Sequence, residues 1–192
     1  MSGTQAIDWE SRYQAGTTRW ERPSLNPAFL AWRADGILAP CRILVPGAGR
    51  SAEPLALAEA GFDVTVLDVS PTAVDVQRSR LPPTAQAIQA DLFTWTPDRP
   101  FDAIYDQTCL CALPPPLLAD YERRLADWLR PRGELFVLFM QTGQPGGPPF
   151  DCPLPDMRAL FAPERWEWPE WLPGLVHHPS LRDEQPAILI RR

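Results

Sequence analysis

The chain is predicted to be an α/β protein built on an open, mostly parallel sheet of about seven strands, with helices on both faces and an antiparallel hairpin edge at its C-terminal end. Three observations carry this. Arg42-Ile43-Leu44-Val45 is a short apolar run followed by a glycine turn and a helical pattern, the strand and helix alternation then repeats as far as Met140, and the last two strand-like runs have no helix between them.

The elements follow in order. After the first strand come Pro46-Gly47 and then Glu53 to Glu59, which has helical periodicity and stops at Gly61. Val64-Thr65-Val66-Leu67 is a second β-branched run ending at Asp68, and Ser70-Pro71 supplies an N-cap with proline at the first helical position. Ala87-Ile88-Gln89 is a weak third strand and Phe101 to Tyr105 a fourth. Pro116 to Leu129 is an amphipathic helix with Leu117, Tyr121, Leu125 and Trp128 on one stripe. Gly133 ends that connection, and Glu134 to Met140 is the fifth strand. Gly146-Gly147-Pro148-Pro149 can only be a loop of constrained shape. Pro155 to Phe161 reads as a last helix, with Glu164 to Trp168 and Ala187 to Ile190 as closing strands. His177 and His178 read as part of a loop, and the stretch Pro169 to Asp183 is expected to pack one aromatic against the core.

Composition narrows the function. A chain of 192 residues favours one domain over residues 1–192. Lysine never occurs, so all 18 basic residues are arginine; against 24 acidic residues they give a net charge of -6. That balance argues against a nucleic-acid partner and against chemistry that needs a lysine. The longest apolar runs are too short to span a bilayer, and Met1 to Asp8 is polar, so a cytoplasmic protein without a membrane partner is expected. Cys41, Cys109, Cys111 and Cys152 contain no C-x-x-C spacing and read as buried free thiols, and no metal site can be composed from the two histidines. Triad hydrolases are disfavoured for the same reason.

The glycine turn holds the first chemical signal. Gly47-Ala48-Gly49-Arg50-Ser51-Ala52 joins strand to helix, and Asp68 stands at the next strand tip, where a carboxylate can accept from two ribose hydroxyls. The spelling also satisfies G-x-G-x-x-A, so a nicotinamide dinucleotide competes with other ribose-bearing cofactors at this point. Three features favour S-adenosylmethionine. Asp91-Leu92 follows the third strand, where the acid can accept from an adenine amino group and the leucine can pack on the ring. The fourth strand ends in the carboxylate of Asp106. Trp9, Tyr13 and Trp20 offer aromatic faces to a sulfonium that needs to be kept from other cations.

Six blocks in order then make the chain resemble the thiopurine S-methyltransferase superfamily, closest to its halide and thiol (thiocyanate-type) branch. They are Asp8-Trp9-Glu10 through Gly16-Thr17-Thr18-Arg19-Trp20, Leu44-Val45-Pro46-Gly47-Ala48-Gly49, Leu67-Asp68-Val69-Ser70, Ala90-Asp91-Leu92-Phe93-Thr94-Trp95, Phe101 to Asp106, and Gly146-Gly147-Pro148-Pro149-Phe150. The resemblance implies a Rossmann-like class I methyltransferase fold, with residues 1–40 as a helical cover over the cofactor. It implies methyl transfer from S-adenosylmethionine to a small soft nucleophile: a thiol, thiocyanate, halide, thiopurine or metalloid species. By matching position, Trp9 and Trp20 line the cofactor, Gly47 and Gly49 form its floor, Asp68 meets the ribose and Asp91 with Leu92 the adenine. Asp106 and Gln107 stand beside the methionine part. Tyr13 replaces a second tryptophan, Ala48 a frequent cysteine, and Gln107 an aromatic near the acceptor. The Gly146 to Phe150 loop and the Trp20 region are expected to wall the acceptor pocket, no general base is assigned, and the enzyme is expected to work as a monomer. The competing readings are a protein that binds the cofactor without turnover and an NAD(P)-dependent oxidoreductase, the latter weakened by the missing lysine.

Overall fold

The structure is a computed structural model that describes residues 7–180 and 182–192. Most of the polar stretch Met1 to Asp8, and the first six residues of the expected cover, lie outside the described residues. Five strands run β1 (Arg42–Pro46), β2 (Asp63–Asp68), β3 (Gln86–Gln89), β4 (Phe101–Gln107) and β5 (Leu129–Gln141), followed by β6 (Trp166–Glu167), β7 (Val176–His178) and β8 (Arg182–Arg191). They form one sheet in the order β3-β2-β1-β4-β5-β8-β6, with β7 paired to β8. Strands β1 to β5 are parallel, and β8 is antiparallel to β5, β6 and β7.

The helices are α1 (Trp9–Gln14), α2 (Pro27–Ala34), α3 (Glu53–Glu59), α4 (Pro71–Arg80), α5 (Leu118–Trp128) and α6 (Leu154–Leu160). The side-chain alternation of the central strands divides the core in two. Ile104, Leu135, Val137 and Phe139 pack with Tyr121, Leu125 and Trp128 of α5 on one face. Ala103, Tyr105, Phe136 and Leu138 pack with Phe29 and Trp32 of α2 and Leu57 of α3 on the other. Ser70 caps α4 as expected, its hydroxyl accepting from the Ala73 amide at 3.1 Å. Leu117 falls in a 3₁₀ turn, Pro115–Leu117, that leads into α5.

Four expectations are corrected. The last strand begins at Arg182 rather than Ala187 and inserts between β5 and β6, because its apolar residues Ala187 and Leu189 are needed inside the core. The C-terminal hairpin therefore joins β7 to β8, and His177 and His178 are strand residues rather than loop residues. Trp171 does not pack against the core: it is 76% exposed, and Trp168 and Leu172 do the packing instead. Strand β5 also starts earlier than expected, at Leu129, with a register irregularity opposite Phe101 and Ala103.

Strand β1 lies between β2 and β4, so the chain winds outward from it in both directions. The C-terminal ends of β1, β2 and β4 meet at this switch point, where an open α/β sheet usually forms its ligand crevice.

Candidate functional site

At this switch point the chain turns through Gly47 and Gly49, both with φ of +54°. A Cβ on Gly47 would lie 2.6 Å from Cys109 Sγ, and one on Gly49 would lie 2.4 Å from Tyr13 Oη. Only glycine fits at either position. The Gly47 amide donates to the Leu67 carbonyl at 2.7 Å, and Gln77 Nε2 holds the turn from behind, donating to the Gly49 and Ser51 carbonyls at 2.9 and 3.0 Å.

Asp68 closes this arrangement from the tip of β2. Its Oδ2 accepts from the Gly49 amide at 2.8 Å and its Oδ1 from the Ser70 amide at 2.9 Å. Each oxygen keeps a second lone pair, so a vicinal diol still has two acceptors. Burial raises the acid above the usual carboxylate range, against the pull of the Ser70 and Gly49 amides. The Ala90 amide donates to the Asp68 carbonyl at 3.0 Å, which brings Asp91 and Leu92 next to the same tip. Asp91 is exposed and accepts from the Phe93 amide at 2.7 Å; Leu92 is half-buried against the core.

Helix α1 is fastened across this end of the sheet. Glu10 accepts from Ser70 Oγ at 2.5 Å and from Thr72 Oγ1 at 2.6 Å, at the start of α4, and these bonds hold its carboxyl down at about 2. Farther along, Glu21 accepts from Arg50 at 2.5 and 2.7 Å. Trp20 packs edge-on against Trp9 and Tyr13, with centroids 5.4 and 5.6 Å apart, and its Nε1 donates to Tyr13 Oη at 3.3 Å. Burial and the nearby Asp68 push the Tyr13 phenol well above its ordinary value. The three aromatics expected to meet a cation thus come together. Two of them already carry one, because Arg12 lies 5.4 Å from the Trp9 ring centroid and Arg50 lies 5.2 Å from that of Tyr13.

The tip of β4 differs from expectation. The Asp106 side chain faces the core, where it is fully buried and accepts from Tyr121 Oη at 2.8 Å and from the Leu110 and Cys109 amides at 3.1 and 3.2 Å. Burial raises it to about 6 despite those donors. It shapes the turn that follows β4, while its neighbour Gln107 lies on the other face of the strand, its Oε1 accepting from Tyr105 Oη at 2.5 Å.

Beside Gln107 lies a polar cluster that sequence reasoning missed. Glu53 accepts from the Asn26 amide at 2.9 Å, Asn26 Nδ2 donates to Glu184 Oε2 at 2.9 Å, and Arg22 Nη2 donates to the same oxygen at 2.8 Å. Burial raises both Glu53 and Glu184, although Arg22 opposes it in each case. The four residues come from the N-terminal segment, α3 and β8, so no local spacing could have signalled them.

On the far side of β4, the Phe150 amide donates to the Cys111 carbonyl at 2.7 Å and the Cys152 amide to the Met140 carbonyl at 2.8 Å. These bonds shape a groove of about 410 Å³ whose lining includes Pro115, Gly143, Gly146, Phe150 and Asp151. Trp20 is not part of that lining.

The model of the family described as thiopurine S-methyltransferase matches residues 4–185. A protein of Arabidopsis thaliana named "Probable thiol methyltransferase 2" is 31% identical over 87% of this chain and 76% of its own length. The thiopurine S-methyltransferase of Vibrio cholerae serotype O1 (strain M66-2) is 29% identical over 80% of this chain and 79% of its own. Among solved structures, the 1,6-didemethyltoxoflavin-N1-methyltransferase of Burkholderia thailandensis, bound to 1,6-didemethyltoxoflavin and S-adenosylhomocysteine, superposes with a TM-score of 0.76 at 19% identity, over 94% of this chain and 84% of that one. It shares the fold.

Proposed function

The chain belongs to the thiopurine S-methyltransferase family and is an S-adenosylmethionine-dependent methyltransferase; from that premise we propose that it methylates a small, soft nucleophile, foremost a thiol or thiocyanate sulfur, with halide, thiopurine and metalloid acceptors in the same chemical class. The observation that carries the reading is Asp68, buried at the tip of β2 with a free lone pair on each oxygen, next to a glycine turn that admits no side chain.

The residues fit the cofactor. Asp68 would accept from the ribose hydroxyls, Gly47 and Gly49 would form the floor, and Asp91 with Leu92 would border the adenine. Gln107 and the main chain of Asp106 would lie toward the methionine part. Residues 1–40 would serve as the cover, with Trp9, Tyr13 and Trp20 above the turn and Trp20 free of a guanidinium on its face among the described residues. When bound, S-adenosylmethionine supplies an activated methyl group; the protein has to hold the acceptor in line behind it and exclude water. Fastening α1 through Glu10 and the Glu21 to Arg50 pair serves that exclusion.

We also place the enzyme in the cytoplasm, working as one chain. The free thiols Cys109, Cys111 and Cys152, all buried, suit a reducing compartment, and every residue assigned above comes from a single chain. The test is calorimetric titration with S-adenosylhomocysteine, with NADH and NADPH run alongside. Micromolar binding of the first and none of the others is expected, followed by turnover in a screen of thiols, thiocyanate and iodide. Binding of a nicotinamide alone would overturn the reading.

A further inference from the structure

Glu184 is enclosed, with its side chain 0% exposed, and its two oxygens are treated differently. Oε2 accepts from both Arg22 and Asn26, whereas Oε1 has no hydrogen-bond partner among the described residues. Arg22, with its side chain 7% exposed, likewise keeps an unpartnered Nε. Buried polar groups are rarely left this way, and an orphan acceptor beside a crevice points to a donor that arrives with a ligand.

Its position indicates which ligand. Glu184 pairs with Met140 at the end of β5, which runs on into the Gly146 to Phe150 loop. Its charge acts on Tyr105 at the tip of β4 and on Cys111, whose carbonyl holds the Phe150 amide. Arg22, its cationic partner, lies two residues beyond Trp20. Through Asn26 and Glu53 the carboxylate is also linked to Gln107 at the end of β4, on the methionine side of the proposed cofactor site.

We propose that Glu184 Oε1 is the general base that takes the proton of a thiol acceptor, with Arg22 and Asn26 fixing the carboxylate through Oε2. The proposal rests on the methyltransferase reading. In the step, the thiol S–H bond breaks and its proton passes to Glu184, while the sulfur electron pair forms the new S–C bond. The old C–S bond breaks with its electrons going to the departing sulfur, giving S-adenosylhomocysteine and a methyl thioether, and the proton later leaves to water. The surroundings match the role. Arg22 from the N-terminal segment, Tyr105 from β4 and Cys111 after β4 are the ionisable groups that interact with it, Glu53 from α3 joins through Asn26, and His178 from β7 lies near Arg22. A carboxylate at that place favours a neutral acceptor that arrives with a proton over one that arrives as an anion.

The experiment compares the native enzyme with Glu184→Gln, which keeps an acceptor for Arg22 and Asn26. Three readouts are used: calorimetric binding of S-adenosylhomocysteine, the thermal midpoint, and the pH dependence of methylation of an alkyl thiol. Glu184→Gln is expected to bind S-adenosylhomocysteine as before and to lose roughly 10²–10⁴-fold in thiol methylation below the thiol pKa. Its rate should then climb with the thiolate fraction and approach the native rate above that pKa. A loss of the same size at every pH, or a native rate that itself tracks the thiolate fraction, would overturn the proposal. If Glu184→Gln does not fold, the native profile decides by itself. If the native protein fails to bind S-adenosylhomocysteine, the failure belongs to the methyltransferase reading and is seen before any rate is measured.

Discussion

Replacing Asp68 with alanine tests the cofactor site at its most buried group. The carboxylate is only 7% exposed and already accepts from two backbone amides, so most of its desolvation is complete before any ligand arrives. The two remaining lone pairs can then be filled by a diol at little further cost. Removing them should weaken S-adenosylhomocysteine by about 1–3 kcal/mol, a rise in Kd of roughly 5- to 140-fold. The same substitution strands the amides of Gly49 and Ser70, so the thermal midpoint should fall as well, and binding must be measured well below it. Calorimetry with S-adenosylhomocysteine and with an analogue lacking the ribose hydroxyls completes a double-mutant cycle. The analogue should bind the native protein more weakly than the parent, and the difference should vanish in Asp68→Ala. A Kd unchanged within about twofold in a folded Asp68→Ala protein would refute the placement of the ribose.

Gly49→Ala should lose affinity for S-adenosylhomocysteine and stability together, because φ of +54° costs an alanine roughly 1–2 kcal/mol and its Cβ would meet Tyr13 Oη at 2.4 Å. Adding Tyr13→Phe should recover the steric part and leave the backbone part, as read by thermal melts of the single and double variants. Asp106 is held at about 6 against an ordinary 3.8, so the native state keeps a proton that the unfolded chain has released between those values. Stability should accordingly fall as pH rises from about 4 to about 6, by up to about 3 kcal/mol from this group, and then level off. Urea unfolding at several pH values should show that slope reduced in Asp106→Asn; an identical pH dependence in the two proteins would contradict the assignment. Glu122 is buried and accepts from Arg165 and from Trp166 Nε1 at 2.5 Å, so Glu122→Ala should leave the indole without a partner and cost about 1–3 kcal/mol in chemical denaturation.

The parts of this protein that the sequence determines are those in which neighbouring residues decide the outcome. A β-branched run, two glycines and a helical pattern within twenty residues suffice for β1, its turn and α3, since backbone sterics admit few other conformations there. Asp68 follows from its place at the end of the next run, and Ser70 with Pro71 starts α4 through its own side-chain cap. The N-terminal aromatics were legible as a group. Their partners were not, because the Arg12 and Arg50 guanidinium groups reach Trp9 and Tyr13 through side-chain geometry that spacing does not express. Which way a strand-tip side chain points was equally hidden: Asp106 turns into the core because Tyr121, in α5, offers it a donor there. The insertion of β8 between β5 and β6 is a choice among edges that all read alike in sequence, made by where Ala187 and Leu189 can be buried. The same insertion carries Glu184 to Arg22 and Asn26 across 162 and 158 positions of chain, and only the closed sheet brings such distant polar groups into one buried place.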